Sequence, residues 1–192
     1  MENTLVETPS YIQAMSELTP DEIYYLSCFM ETRDEFTCLV DLVTNKKRIV
    51  SQIFRGTQYR KKDLVLGETY AHWNTLSSWS LSHDVAVGFA LDAYIPDDLV
   101  DSVLEELGHS LDDMTHESPE WSEVYAEFED VVFVLNDTEG FVVKEHLAHD
   151  IFNHEKEVIL SSGEWIMTDI VEKFNVEGNR FIEVTLANIE NS

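Results

Sequence analysis

Apolar residues recur every three or four positions between residues 10 and 44, first in "YIQAMSEL" and then in "IYYLSCFMETRDEFTCLVDLV", which predicts helix. Thr19-Pro20-Asp21-Glu22 reads as a helix start, with the threonine as N-cap and the proline in the first turn. From residue 49 the period shortens toward two, and "IVSQIF" and "LGETYAHWNTLSSWSL", rich in aromatic, β-branched and hydroxyl residues, predict strands. Ser82 can cap a short helix over "HDVAVGFALDA" that turns Ala86, Phe89 and Ala90 toward the core. Residues 92–130 are helical again: Leu99, Val100, Val103, Leu104 and Leu107 mark one amphipathic helix, and Trp121, Val124, Tyr125 and Phe128 the stripe of a second. "VVFVL", a turn at "NDTEG" and "FVVKE" predict a hairpin. "KEVILSS", "EWIMTDIVEKF" and, after the turn "VEGN", "RFIEVTLANI" complete a β-rich body. The pattern is α+β: a helical lobe over residues 1–48 and a β-rich body over 49–192 with a helical insertion at about 95–130. At 192 residues the chain suffices for one sizeable core and is expected to form a single domain.

Charge changes the picture by exclusion. Twelve basic against 38 acidic residues give a formal net charge of -26, which repels nucleic-acid backbones and anionic membranes and favours basic partners. Seven of the twelve basic residues, Lys46, Lys47, Arg48, Arg55, Arg60, Lys61 and Lys62, fall within 17 positions, so a local anion site is expected there. Residues 92–130 carry fourteen Asp or Glu and no Lys or Arg, yet keep apolar stripes, so they read as a packed acidic insertion, either a plain helical hairpin or a docking surface for a basic target. The start "MENTLVETPSYI" has no basic and apolar leader pattern and no apolar run is long enough to span a bilayer, so a cytoplasmic protein is expected. Cys28 and Cys38 are expected to be reduced, partly buried thiols.

Three short stretches carry chemistry. Arg55-Gly56 ends a strand inside the basic cluster; it reads either as a surface arginine beside a turn glycine, or as a planar donor fork for phosphate beside backbone open to a ligand. Ser78-Trp79-Ser80, if extended, puts both hydroxyls on one face with Trp79 packed behind, with Ser77 as a register alternative; the plain reading is a polar strand edge. In "HEKEVIL", Glu155 and Glu157 at i and i+2 of a strand would stand ~7 Å apart on one face with Lys156 turned away. That pair reads as a solvated acidic face or as a functional site, where crowding of like charge shapes protonation. The seven histidines show no ligand spacing, and no metal site is expected.

The ordered set Arg-Gly, Ser-x-Ser, Glu-x-Glu behind a helical lobe resembles the arginine-specific mono-ADP-ribosyltransferases. "SSWSLSHDVAVGFA" and "EKEVILSSGEWIMTDI" look most like the Mod and Alt enzymes of T-even bacteriophages. The resemblance covers roughly residues 49–91 and 131–186, and the acidic insertion has no counterpart in the shorter phage enzymes. It implies a helical N-terminal lobe packed on a mixed β-sandwich of the ADP-ribosyltransferase type, and NAD as co-substrate. It also implies the roles of single residues. Arg55 would bind NAD through its phosphates and Gly56 would offer backbone contacts to nicotinamide. Ser78, with Ser80 beside it, would hold the nicotinamide ribose, and Glu157 would be the catalytic glutamate. Glu155 would orient and deprotonate the acceptor guanidinium, and Phe152 in "HLAHDIFNH" would contact the acceptor. Trp79 stands where that family commonly has a small residue.

The implied activity is transfer of ADP-ribose to arginine on a basic protein, such as part of a host's transcription or translation machinery. Two other readings compete with it. The same donor site with water as acceptor gives an NAD glycohydrolase, and an acidic surface without chemistry gives a nucleic-acid mimic.

Overall fold

The computed structural model describes residues 18–71, 74–95, 97–109, 115, 118–143 and 156–189. Among them are five α-helices, one short 3-10 turn at Lys61–Asp63 and seven strands. The helices are α1 (Pro20–Thr32), α2 (Thr37–Lys46), α3 (His83–Leu91), α4 (Asp97–Leu107) and α5 (Trp121–Ala126). The strands are β1 (Arg48–Arg60), β2 (Thr69–Ala71), β3 (Leu76–Ser80), β4 (Phe128–Val142), β5 (Glu157–Ser161), β6 (Glu164–Phe174) and β7 (Arg180–Asn188). They form two compact units, each drawn from separate stretches of sequence.

The first unit contains α1, α2, the start of β1, β3, the end of β4, and β5, with the strand order β1-β3-β5-β4. Helix α1 starts as its residues dictate: the Thr19 hydroxyl accepts from Glu22 N–H, and the Glu22 carboxylate accepts from Thr19 N–H at 2.6 Å. The helical run expected through residue 44 breaks at residues 33–36. Arg33 closes α1 in the left-handed region (φ 61°) and donates its N–H to the Phe29 carbonyl. The Glu35 carboxylate then accepts the N–H groups of Leu76 (2.7 Å) and Thr75 (3.2 Å), tying this polar break to the start of β3. Leu26, Phe29, Leu39 and Val43 of the two helices pack with Leu76, Phe141 and Ile159 of the strands in one core cluster. Cys28 on α1 is half-buried, whereas Cys38 on α2 is exposed, contrary to expectation, and both are free thiols.

The hairpin expected at "NDTEG" is absent, and β4 runs unbroken for 15 residues. Asp137 takes a left-handed conformation (φ 48°), a local irregularity without chain reversal. Gly140 is a close-approach glycine rather than a turn glycine: a Cβ there would stand 2.5 Å from Val158 Cγ1 and 2.9 Å from Leu160 Cδ2.

The second unit holds the rest of β1 and β4 with β2, β6 and β7, in the order β4-β7-β6-β2, together with α4, α5 and all but the first residue of α3. Strands β6 and β7 pair antiparallel from Trp165↔Asn188 to Phe174↔Arg180, and Gly178 (φ 87°) turns the chain between them. Tyr59, Tyr70, Phe133 and Trp165 stack into an aromatic cluster. Helix α3 buries Ala86, Val87 and Ala90, but Phe89 is 46 % exposed, a correction to the predicted stripe. The 3.6-residue period puts residues 86, 87 and 90 on one side and residue 89 outside it.

Gly56 explains why the buried stripe is so small. A Cβ at Gly56 would overlap the Ala86 carbonyl oxygen and come within 2.6 Å of Ala90 N. Strand and helix backbones therefore meet with no room for a side chain. The acidic insertion has its own core of Ile95, Val103, Leu104, Val124 and Phe128. Its second helix is only six residues, Phe128 already belongs to β4, and Tyr125 is exposed rather than part of a buried stripe.

Candidate active site

Strands β3 and β5 pair antiparallel with Ser80 opposite Glu157 and Ser78 opposite Ile159. Side chains two apart on a strand share a face, so Leu76, Ser78 and Ser80 lie with Glu157 and Ile159. Along that face the apolar half, Leu76 and Ile159, lies in the core with the helices. The polar half is left at the end of β5, where Lys156 in the left-handed region (φ 51°) leads into Glu157. The Lys156 carbonyl accepts from Leu81 N–H at 3.0 Å, which fixes the two strand ends together. On the opposite face Trp79 is buried, and its indole N–H donates to the Ser77 hydroxyl at 2.9 Å. Ser80 is buried and accepts from Ser82 N–H.

Glu157 is the centre of this arrangement. It is a buried glutamate whose Oε1 accepts hydrogen bonds from the Ser78 hydroxyl and from Arg33 Nη1, the latter at 2.5 Å. Oε2 is equally buried and has no hydrogen-bond partner among the described residues. A buried carboxylate oxygen left unsatisfied costs on the order of 1–3 kcal/mol. The lone pairs of Oε2 are unused as acceptors among the described residues. Arg33 sits at the C-terminal end of α1, where the helix dipole favours a cation, and its guanidinium lies 5.5 Å from the Phe29 ring centre.

No protein-family model matches the sequence, and no curated protein matches it. Among solved structures, the chain is similar to the ADP-ribosyltransferase Vis, crystallised with an inhibitor, at a TM-score of 0.50 and 14 % identity over 94 % of this chain and 81 % of that one. The chain has the ADP-ribosyltransferase fold. It also matches exoenzyme S from Pseudomonas aeruginosa, crystallised with human 14-3-3 protein beta and carba-NAD (TM-score 0.47, 10 % identity, 91 % of this chain and 76 % of that one). A third match is the ADP-ribosyltransferase HopU1 of Pseudomonas syringae pv. Tomato DC3000 (TM-score 0.40, 12 % identity, 97 % and 60 %).

Within this ADP-ribosyltransferase fold, the residues singled out from sequence are placed as follows. Ser78, Ser80 and Glu157 share one face and one end of two paired strands. Ser77, the register alternative, lies on the other face as partner of Trp79. Arg55 and Gly56 belong to the second unit, where the Arg55 charge acts on Tyr70. Burial pushes the Tyr70 pKa up, and the charge and hydrogen bond of Arg55 pull it part of the way back. Glu155 and Phe152, with the "HLAHDIFNH" segment, lie outside the described residues.

Four residues of the basic cluster are engaged with carboxylates. Lys47 pairs with Glu139, Arg60 and Lys62 share Glu106, and Lys61 lies 3.6 Å from Glu129. Among the described residues no group of three or more His, Cys, Asp or Glu side chains is placed to hold a metal ion, and no helix is long and apolar enough to cross a membrane.

Arg33 is the residue that sequence reading missed. It falls inside an apparently continuous helical period, and the one available signal was the polar run Arg33-Asp34-Glu35 interrupting that period.

Proposed function

We propose that this protein transfers ADP-ribose from NAD to arginine side chains of a basic protein, releasing nicotinamide. The observation that carries the proposal is Glu157: a buried carboxylate with one oxygen held by Ser78 and Arg33 and the other left with an open acceptor position. The donor residues suit NAD. Glu157 Oε2 accepts from a ribose hydroxyl, and Arg55 offers its guanidinium to the phosphates.

In the reaction the bond between the ribose carbon and the nicotinamide nitrogen breaks, and its electron pair leaves with nicotinamide. Positive charge then develops on the sugar, and Glu157, already oriented by its two donors, stabilises it without reorganisation. Ser78 and Ser80 hold the ribose, and the Gly56 backbone meets the nicotinamide amide. A guanidinium nitrogen attacks the sugar carbon and gives up a proton; with a pKa above about 12 it needs a carboxylate to take that proton, a role for Glu155. Phe152 contacts the acceptor. The net charge of -26 steers the enzyme toward basic surfaces, such as those of a host's transcription or translation machinery in the cytoplasm. Target modification should then slow as salt rises, and a rate indifferent to salt would remove the steering step.

The test is labelled NAD with agmatine or polyarginine as acceptor. Label on the amine supports the transferase. Free ADP-ribose alone indicates a glycohydrolase, and no turnover of NAD with intact binding to a basic protein indicates a mimic.

A further inference from the structure

The second unit contains a cleft of about 730 Å³ that the reaction above does not use. Its lining includes the apolar Ile95, Val100 and Phe128 and the aromatic Tyr94, Trp121 and Tyr125. Trp121 and Tyr125 stack with centroids 6.0 Å apart and planes 27° from parallel. The indole N–H of Trp121 donates to the Thr115 carbonyl at 2.8 Å, which fixes the ring. Tyr94 is 75 % and Tyr125 57 % exposed, although an isolated fold gains nothing by presenting such rings to water.

Three carboxylates, Asp101, Glu129 and Asp130, complete the lining. Glu129 is already paired with Arg180 and Lys61. Asp130 accepts from the amide of Gln58, which is neutral and brings no compensating charge, and Asp101 is exposed.

We propose that this cleft binds an arginine side chain of a basic protein segment. Aromatic faces attract a cation, and parallel rings suit a planar guanidinium better than a compact ammonium. Carboxylates in the lining match its donors and reject anions. The acidic insertion is thereby given an occupant: it holds the partner by an arginine stacked on Tyr125 and Trp121 and bonded to Asp101 and Asp130. That this partner is the transferase's target rests on the function proposed above, whereas occupancy of the cleft does not.

The test uses the full chain without NAD, so its result is separate from that of any transfer assay. Isothermal titration at about 0.15 M salt, where exposed charges are largely screened, compares hexa-arginine, hexa-lysine and hexa-citrulline peptides. Hexa-arginine should bind more tightly than hexa-lysine, and hexa-citrulline should not bind. Tyr125→Ala and Asp101→Asn, both at exposed positions, should each weaken hexa-arginine about fivefold. Equal affinity for the arginine and lysine peptides with no effect of either substitution would show diffuse attraction to an acidic surface and overturn the proposal, as would absence of binding.

Discussion

Replacing Arg33 by alanine tests how the carboxylate of Glu157 is held. Removing one partner of a fully buried ion pair costs about 3–5 kcal/mol, because the other charge stays in a poorly solvated place. Here the burial is one-sided: the Arg33 side chain is 43 % exposed and that of Glu157 is 1 % exposed. Arg33 therefore gives up only part of its hydration, and the expected cost of Arg33→Ala falls to about 2 kcal/mol, most of it the stranded carboxylate. For a chain of this size that lowers Tm by about 4–8 °C.

Glu157→Gln should cost less, about 1 kcal/mol, since Arg33 can turn to water and an amide can still accept from Ser78. In the double variant no buried charge remains, so its stability should lie close to that of Glu157→Gln alone, giving a coupling of about 1–2 kcal/mol. Urea unfolding of the four proteins, compared at constant m, measures these quantities. A loss below about 0.5 kcal/mol for Arg33→Ala, or losses that simply add in the double variant, would refute the reasoning.

Gly56→Ala should be worse than Gly140→Ala, because the first Cβ meets helix backbone and the second meets only side-chain ends that can shift. About 3 kcal/mol against about 1–2 kcal/mol is expected from overpacking, read from the same unfolding curves. Arg60 and Lys62 hold the Glu106 pKa down to about 2, chiefly through their hydrogen bonds. Its folded-state pKa is below its unfolded value of about 4.3, so the unfolded chain binds the extra proton and this contribution to stability is lost as pH falls from about 4.5 to about 2. Comparing melts of the wild type and Glu106→Gln over that range should show the wild type losing its advantage; a gap that persists at the acid end would contradict the pairing.

What the sequence disclosed was mostly local. The Thr19 helix start, the β-rich body and the shared face of Ser78 and Ser80 follow from periodicities of 3.6 and 2, whereas the antiparallel pairing that sets them beside Glu157 does not. The unbroken β4 escaped because Asn136-Asp137 and Gly140 look like a turn, when one is a left-handed kink within a strand and the other is small to admit Val158 and Leu160. The pairing of Lys47, Arg60, Lys61 and Lys62 escaped because their acidic partners, Glu139, Glu106 and Glu129, lie far along the chain. Arg33 escaped for the same reason: it meets Glu157 across 124 positions, and only the folded helical lobe brings them together. Phe89 and Tyr125 were assigned to buried faces on hydrophobicity alone, which does not distinguish a core ring from one left at the surface.

The central claim is that the Glu157 carboxylate stabilises the sugar cation as nicotinamide leaves. It is tested most directly by the rate of nicotinamide release from labelled NAD by the wild type and by Glu157→Gln, at a temperature where both are folded. The amide keeps the shape and the Ser78 hydrogen bond but removes the charge, so the rate should fall by about 10²–10³-fold or more. A Glu157→Gln variant that releases nicotinamide within about threefold of the wild-type rate, a difference under about 1 kcal/mol in the barrier, would contradict it.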